Sequence, residues 1–266
     1  MIPVMRPIAL ATFLLSAAAM VGQAPVARPK FDAFDVATIK RTPEGEKGRY
    51  FKMEGTHRWI ATNFTLKLLI GLAYDLNPKT IEGGPSWVDS THFNIEAVTP
   101  GDIAPNRAEQ MTMLRSLLTE RFKLTFHRKP KEFSIYVLEV AKNGPKLKQS
   151  TAAADDPSSV IGVVYPQRIK LPARNATMDD FTAMLQRAVL DRPVVDKTGL
   201  TGRYDFDLEW APDESQFGGD IPAAAADAPS APLFVAIREQ IGLRLEATKG
   251  PVEELIVDGA EEPSAD

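Results

Sequence analysis

The side chains most able to do chemistry are few and scattered. His57, His92 and His127 are the only histidines, and none lies within four residues of another, so no pair sits one helical turn apart to share a metal ion. There is no cysteine, which closes thiolate zinc sites and thiol catalysis. No G-x-S-x-G elbow, Ser-x-x-Lys pair, Walker loop or G-x-G-x-x-G turn occurs. Carboxylate pairs do occur, at Asp205/Asp207 and Glu253/Glu254. Alternation along a strand puts Asp205 and Asp207 on one face, with Tyr204, Phe206 and Leu208 on the other. A solvated strand face accounts for that pattern, and a glycosidase-type acid pair is the competing reading. The spacing therefore predicts no catalytic residue, no metal site and no cofactor. Arg203, Asp205, Asp207 and Trp210 together form the candidate binding surface.

Asp196-Lys197-Thr198-Gly199 matches the phosphorylated tetrapeptide of P-type ion pumps. Those pumps need a transmembrane bundle and cytosolic ATP, and this chain has no such bundle. The segment reads as a turn between helix and strand, with Gly199 and Gly202 supplying the turn chemistry.

The elements that must position these residues repeat along the chain. Phe34–Lys40, Arg49–Met53 and Trp59–Ala61 alternate as strands. Thr65 caps a helix whose Leu66, Leu69, Ile70 and Ala73 share one face, and Asn77-Pro78 stops it. Phe93–Val98 reads as a strand, and Met111, Leu114, Leu117 and Leu118 as the apolar stripe of a second helix. Leu124–Phe126 and Ile135–Val140 read as two strands around a turn at Lys129-Pro130. The second half keeps this order. Asn175–Met178 matches Asn63–Leu66, with Thr177 as cap and Asp180 completing an acidic capping box. Met178, Phe181, Leu185 and Ala188 form the apolar face of the helix it caps. Tyr204–Asp207 matches Phe93–Glu96, Ile237–Leu245 matches Leu118–Phe126, and Leu255–Asp258 matches Tyr136–Glu139. The offsets of 112, 111, 119 and 119 keep order and change only loops. The expected fold is α+β: two tandem β-α-β-α-β-β units, 31–148 and 161–264, with helices on one face of a short mixed sheet. Residues 149–160 read as a linker and 211–232 as a mobile loop, both rich in Ala, Asp and Pro.

Composition bounds the setting. The chain has 266 residues, 44% hydrophobic and 25% charged, as in an ordinary globular protein. Residues 31–150 carry 18 basic and 14 acidic side chains, and 151–266 carry 10 and 21. That acidic half argues against a nucleic-acid partner. Arg6, the apolar run Ile8–Val21 and Gly22-Gln23-Ala24 predict a signal peptide over 1–24 and a periplasmic or secreted protein. The run of 14 residues is short of the roughly 20 that span a bilayer. Without a cysteine there is no lipoprotein anchor.

Pro193–Phe206, Glu239–Glu246, Lys249–Val252, Met113–Leu124 and Gly144–Leu147 together resemble a soil-associated exported family, a domain of unknown function expanded in acidobacteria. The resemblance covers about residues 31–264. Some members carry this domain behind a membrane metallopeptidase of the beta-lactam-sensor type, which implies extracytoplasmic sensing or binding. Each half is also similar in pattern to the short N-terminal domains of secretins and TonB-dependent receptors, which bind proteins. The shared features are a capped early helix and a second helix ending in a Gly-Leu step, here Gly242-Leu243. The resulting expectation is a non-enzymatic binding or protein-interaction module, its partner an extracytoplasmic protein or small ligand. The alternative class is a carboxylate-dependent hydrolase.

Overall fold

A computed structural model describes residues 28–153 and 156–264. The expected signal peptide, 1–24, lies outside the described residues. The architecture is α+β, as the alternating strand and helix periods require.

The first half runs β1 (Val36–Arg41), β2 (Tyr50–Glu54), β3 (Arg58–Thr65), α1 (Leu66–Tyr74), β4 (Ile81–Gly83), β5 (His92–Val98), α2 (Arg107–Arg121) and β6 (Thr125–Val140). The second runs β7 (Lys148–Gln149), β8 (Ser159–Val160), β9 (Val163–Tyr165), β10 (Arg168–Ala176), α3 (Met178–Met184), β11 (Val194–Asp196), β12 (Tyr204–Trp210), α4 (Leu233–Ala236) and β13 (Leu243–Gly259). Both α3 and α4 continue into a π turn, Leu185–Val189 and Ile237–Ile241.

The helix starts are set by local side chains. Thr65 Oγ1 accepts from the Leu68 N–H at 3.3 Å, and Asn106/Glu109 and Thr177/Asp180 form reciprocal capping boxes. Ahead of α1 and α3 the strand makes the same detour. Asn63 and Asn175 both have left-handed backbones, at φ 63° and 49°, where β3 and β10 skip register. The displaced N–H of Asn63 donates to Asn94 Oδ1 at 2.8 Å, and that of Asn175 donates to Asp205 Oδ1 at 2.8 Å. Asn and Asp tolerate these roles because their short polar side chains satisfy nearby backbone.

Three sheets form, not one short mixed sheet per unit. Two are antiparallel, ordered β1-β5-β3-β2 and β7-β12-β10-β8, with β9 also on β10. The third is ordered β11-β6-β13-β4 and is the mixed one. Its centre corrects the expected turn at Lys129-Pro130, because β6 runs unbroken through Pro130. Tyr136 turns its N–H away from β13, to Pro193 O at 2.8 Å, so by strand alternation Pro130 turns its nitrogen to the same flank. There β11 reaches only 136–138, so no ladder bond is missing at the proline.

The expected linker is also part of a sheet. Lys148–Gln149 pair with β12 and Ser159–Val160 pair with β10. Asn175 Nδ2 ties the stretch between them by donating to the carbonyls of Ala153 (3.0 Å) and Asp156 (2.7 Å). Residues 211–232 are anchored to the second half at their start, where Gln216 is buried and Phe217 stacks on Trp210 with ring centroids 6.4 Å apart.

Two cores result. One gathers the helices α1 and α2 over β1, β3 and β5, and takes Leu255 and Val257 from β13. The other gathers α3, α4 and their π turns over β10 and β12, and takes Leu138 from β6. Leu118 and Ile237, paired in the sequence comparison, are each fully buried, one in either core. Truncating either to Ala is expected to cost about 2–5 kcal/mol in equilibrium urea unfolding. Losses below about 1 kcal/mol at both would remove them from the core assignment.

Candidate functional site

The end of α1 is where the two halves meet through polar groups. Asp75 closes α1 in a left-handed conformation (φ 54°). Its carbonyl accepts from Gln186 Nε2 at 2.6 Å, and Gln186 Oε1 accepts from the Val194 N–H at 3.1 Å. Asn77, buried two residues on, donates its amide to the carbonyls of Gln186 (2.6 Å) and Leu190 (3.0 Å). Both carbonyls lie in the last turn that follows α3, where the final C=O groups of a helix have no intrahelical donor.

The Asp75 carboxylate holds two arginines. Oδ1 accepts from Arg107 Nη2, at the first residue of α2, and lies 3.4 Å from Arg187 Nε. The Arg187 side chain is only 8% exposed, sits against the Phe51 ring and has no hydrogen-bond partner for Nε. Burial first, then the charge of Arg107, push its pKa down to about 9, with Asp75 opposing. It is still charged at neutral pH, at a cost.

Beside this cluster lies a cleft of about 570 Å³ between the start of α2 and the start of α3. Arg107 and Arg115 line it from the first half, two turns apart on one face of α2; Asp156, Asp179, Asp180 and Arg203 line it from the second. Asp180 is engaged in the α3 cap. Arg115 donates Nε to Ala73 O at 2.8 Å and lies over the Tyr74 ring. Arg203 donates to Asn175 O at 3.0 Å. Neither arginine has a carboxylate partner among the described residues.

The four residues singled out from sequence do not share one surface. Arg203 lines the cleft. Asp205 is half-buried and serves the Asn175 bulge, whose N–H holds its carboxyl below the usual range. Asp207 is exposed and pairs with Arg174 at 2.8 Å. Trp210 is fully buried, stacked on Phe217 and donating Nε1 to Gln216 Oε1 at 2.8 Å. The alternation that puts Asp205 and Asp207 outward puts Trp210 inward, on the same face as Phe206 and Leu208. Asp75, Arg107 and Arg187 were not singled out from sequence. Their one signal is a charged residue, Arg187, within the apolar stretch Phe181–Leu190.

Among the described residues no group of three or more acidic or histidine side chains is placed to hold a metal ion. His127 pairs with Asp258 at 2.8 Å on the exposed face of the central sheet. The Asp196–Gly199 segment is a turn, with Asp196 Oδ1 accepting from the Thr198 N–H at 2.8 Å and Gly199 at φ 67°. No described helix is long and apolar enough to cross a membrane.

Residues 67–260 match the family described as protein of unknown function, DUF3738. The chain belongs to the DUF3738 family. No curated protein and no solved structure matches it. The DUF3738 match includes all three residues of the Asp75 cluster and both unpaired arginines of the cleft.

The Asp75 cluster makes an asymmetric prediction. Asp75→Ala strands Arg187 in the interior and is expected to cost about 3–5 kcal/mol, whereas Arg187→Met is expected to be neutral or stabilising by about 1–4 kcal/mol. The Arg187 pKa is lowered from the usual guanidinium range to about 9, so above about pH 9 the unfolded chain binds more protons at this residue than the native one. Stability from this residue therefore rises with pH there. The advantage of Arg187→Met at pH 7 should shrink between pH 8 and 10 in paired urea titrations. An advantage that grows with pH would refute the assignment.

Proposed function

We propose that this DUF3738 protein is an extracytoplasmic, non-catalytic binding module whose ligand occupies the cleft between the halves. Export is supported by Arg6, the apolar run Ile8–Val21 and the small residues before Pro25. The resemblance to soil-associated exported proteins points to the same compartment.

The observation that carries the binding reading is the pair Arg115 and Arg203. They approach one cleft from opposite halves, and each spends a donor on a backbone carbonyl while lacking a carboxylate partner among the described residues. A guanidinium fork with free N–H groups is suited to a carboxylate. Asp179 lines the same cleft and makes no side-chain hydrogen bond or ion pair among the described residues, which suits an ammonium group. A ligand with both charges, an amino acid or short peptide, fits this arrangement. Asp205 and Asp207, the acids of the hydrolase alternative, already serve a backbone N–H and Arg174.

Titration calorimetry against free amino acids and di- and tripeptides tests the reading. Saturable binding is expected, weakened at least about tenfold, or 1.4 kcal/mol, in Arg115→Gln and in Arg203→Gln. Blocking the ligand's carboxylate as an amide should weaken it comparably. Binding that is unchanged in both variants would move the ligand elsewhere, and no saturable binding at millimolar concentrations would end the proposal. Export is tested separately by N-terminal sequencing of the protein from its native host. A mature chain starting near Pro25 is expected, and one starting at Met1 contradicts export.

A further inference from the structure

The halves are joined by exchanged strands. Short β4 of the first half lies parallel to β13 of the second, with Ile81 opposite Leu255. Short β11 of the second half lies parallel to β6 of the first, with Val194 opposite Tyr136. Interchanging the halves turns one pairing into the other, since Tyr136–Leu138 and Leu255–Val257 are the matched segments. Between them, β6 and β13 form an antiparallel ladder of 16 residue pairs. That ladder maps onto itself about the pair Glu132–Pro251, whose members are 119 positions apart, as are Tyr136 and Leu255. The flanking sheets obey the same exchange: Ala61 opposite Ile95 and Phe64 opposite Phe93 correspond to Ala173 opposite Phe206 and Ala176 opposite Tyr204.

We infer that the surface joining the halves is a pseudo-twofold, dimer-type interface. Its natural partner is a second copy of the same unit, supplied here by the same chain, and it holds without the covalent link. An isologous interface between identical units must be self-complementary, and the ladder centred on Glu132–Pro251 has that property. Each core also needs the other half. Leu255 and Val257 close the first core and Leu138 closes the second. Neither half alone would cover its apolar face, which is the behaviour of an obligate dimer. The connection itself is slight, a short exposed stretch around Thr151–Ala153.

The test inserts a site-specific protease sequence between Thr151 and Ala152 of the full chain and cuts the purified native protein. The cut sample is expected to show two fragments on a denaturing gel but one species of undiminished mass by light scattering at micromolar concentration. Its melting temperature should rise with protein concentration, as a bimolecular assembly requires. Two separate species under native conditions would overturn the inference. A second variant guards against a misfolded insertion: a circular permutant opened at the same point, its original ends joined by a flexible linker. The described residues towards those ends lie near α2, with Arg28 beside Glu109 and Glu261 beside Phe122. The permutant is expected to melt cooperatively with the far-UV signature of the parent, and a permutant that fails to fold would refute a self-sufficient interface.

Discussion

An unpaired strand edge inside a protein is not tolerable, and the long ladder between β6 and β13 is how this chain meets that constraint. Both strands are too long for either half to cover. Part of each outer flank is paired by β11 or β4, each only three residues long, and each drawn from the half opposite to the strand it pairs. Main-chain hydrogen bonding thus fixes the relative placement of the halves before any side chain is considered. Side chains follow from it. The ladder's inward residues at one end enter the first core, and those at the other end enter the second. Its middle, from Arg128 to Glu132, is exposed and charged, with Lys131 bonded to Glu254 and Arg128 to Glu253 across the strands. The exposed Arg128–Glu253 pair contributes little energy. Glu254 is buried, and Lys129 and Lys131 neutralise its carboxylate.

The tight joints follow the same logic. Where β6 leaves the ladder its connection to β7 passes directly over the end of the last π turn. Gly242 is there at φ 68°, and a Cβ on it would stand 2.3 Å from the Gly144 carbonyl oxygen. Both the backbone sign and the lack of space demand glycine. The first half has Lys123 at the matching place, also left-handed at φ 49°, and beside it the Glu261 N–H donates to the Phe122 carbonyl at 2.7 Å. The Gly-Leu step seen in the sequence is therefore a packing requirement at a crossing of the two halves.

Much of this was legible in the residues. Thr65 and Thr177 announce their helices because a hydroxyl before an apolar period has one good use, and Leu118 and Ile237 are buried as the periods demand. What escaped was non-local. Nothing in the run around Pro130 says which flank of the strand will be empty, so a proline read as a turn sits in the longest continuous pairing of the fold. Strand exchange is equally invisible, because Ile81–Gly83 and Val194–Asp196 are too short to carry a pattern, and their partners are chosen by distant geometry. Trp210 was misplaced for a local reason: its alternation with Asp205 and Asp207 was available, and it already put the indole on the inner face. The Asp75, Arg107 and Arg187 cluster needed the fold, since these residues are brought together only when the end of α1 meets the end of α3.

The exchange also relates two clefts, and their difference argues for which one holds a ligand. One, of about 710 Å³, opens at the start of α1 and includes Lys67 and His92; the other opens at the start of α3 and includes Asp179 and Arg203 at the matching positions. In the first cleft Lys67 pairs with Asp89 at 3.1 Å, Lys79 with Asp191 at 3.4 Å and Arg49 with Asp220 at 3.0 Å, the last bringing in the 211–232 segment. In the second, Arg115 and Arg203 are left without acids. The position matching Arg115 in the other half is Phe234, which packs edge-on against Tyr136. The Arg115 guanidinium bonds to the Ala73 carbonyl and lies over the Tyr74 ring, and it has no carboxylate partner among the described residues. Guanidinium groups anchored by one donor on a backbone carbonyl keep their remaining N–H groups for something else, and here two of them face one cleft that Asp75 and Arg107 also line. The common framework sets where both clefts lie, and the side chains laid upon it leave unpaired arginines in only one of them.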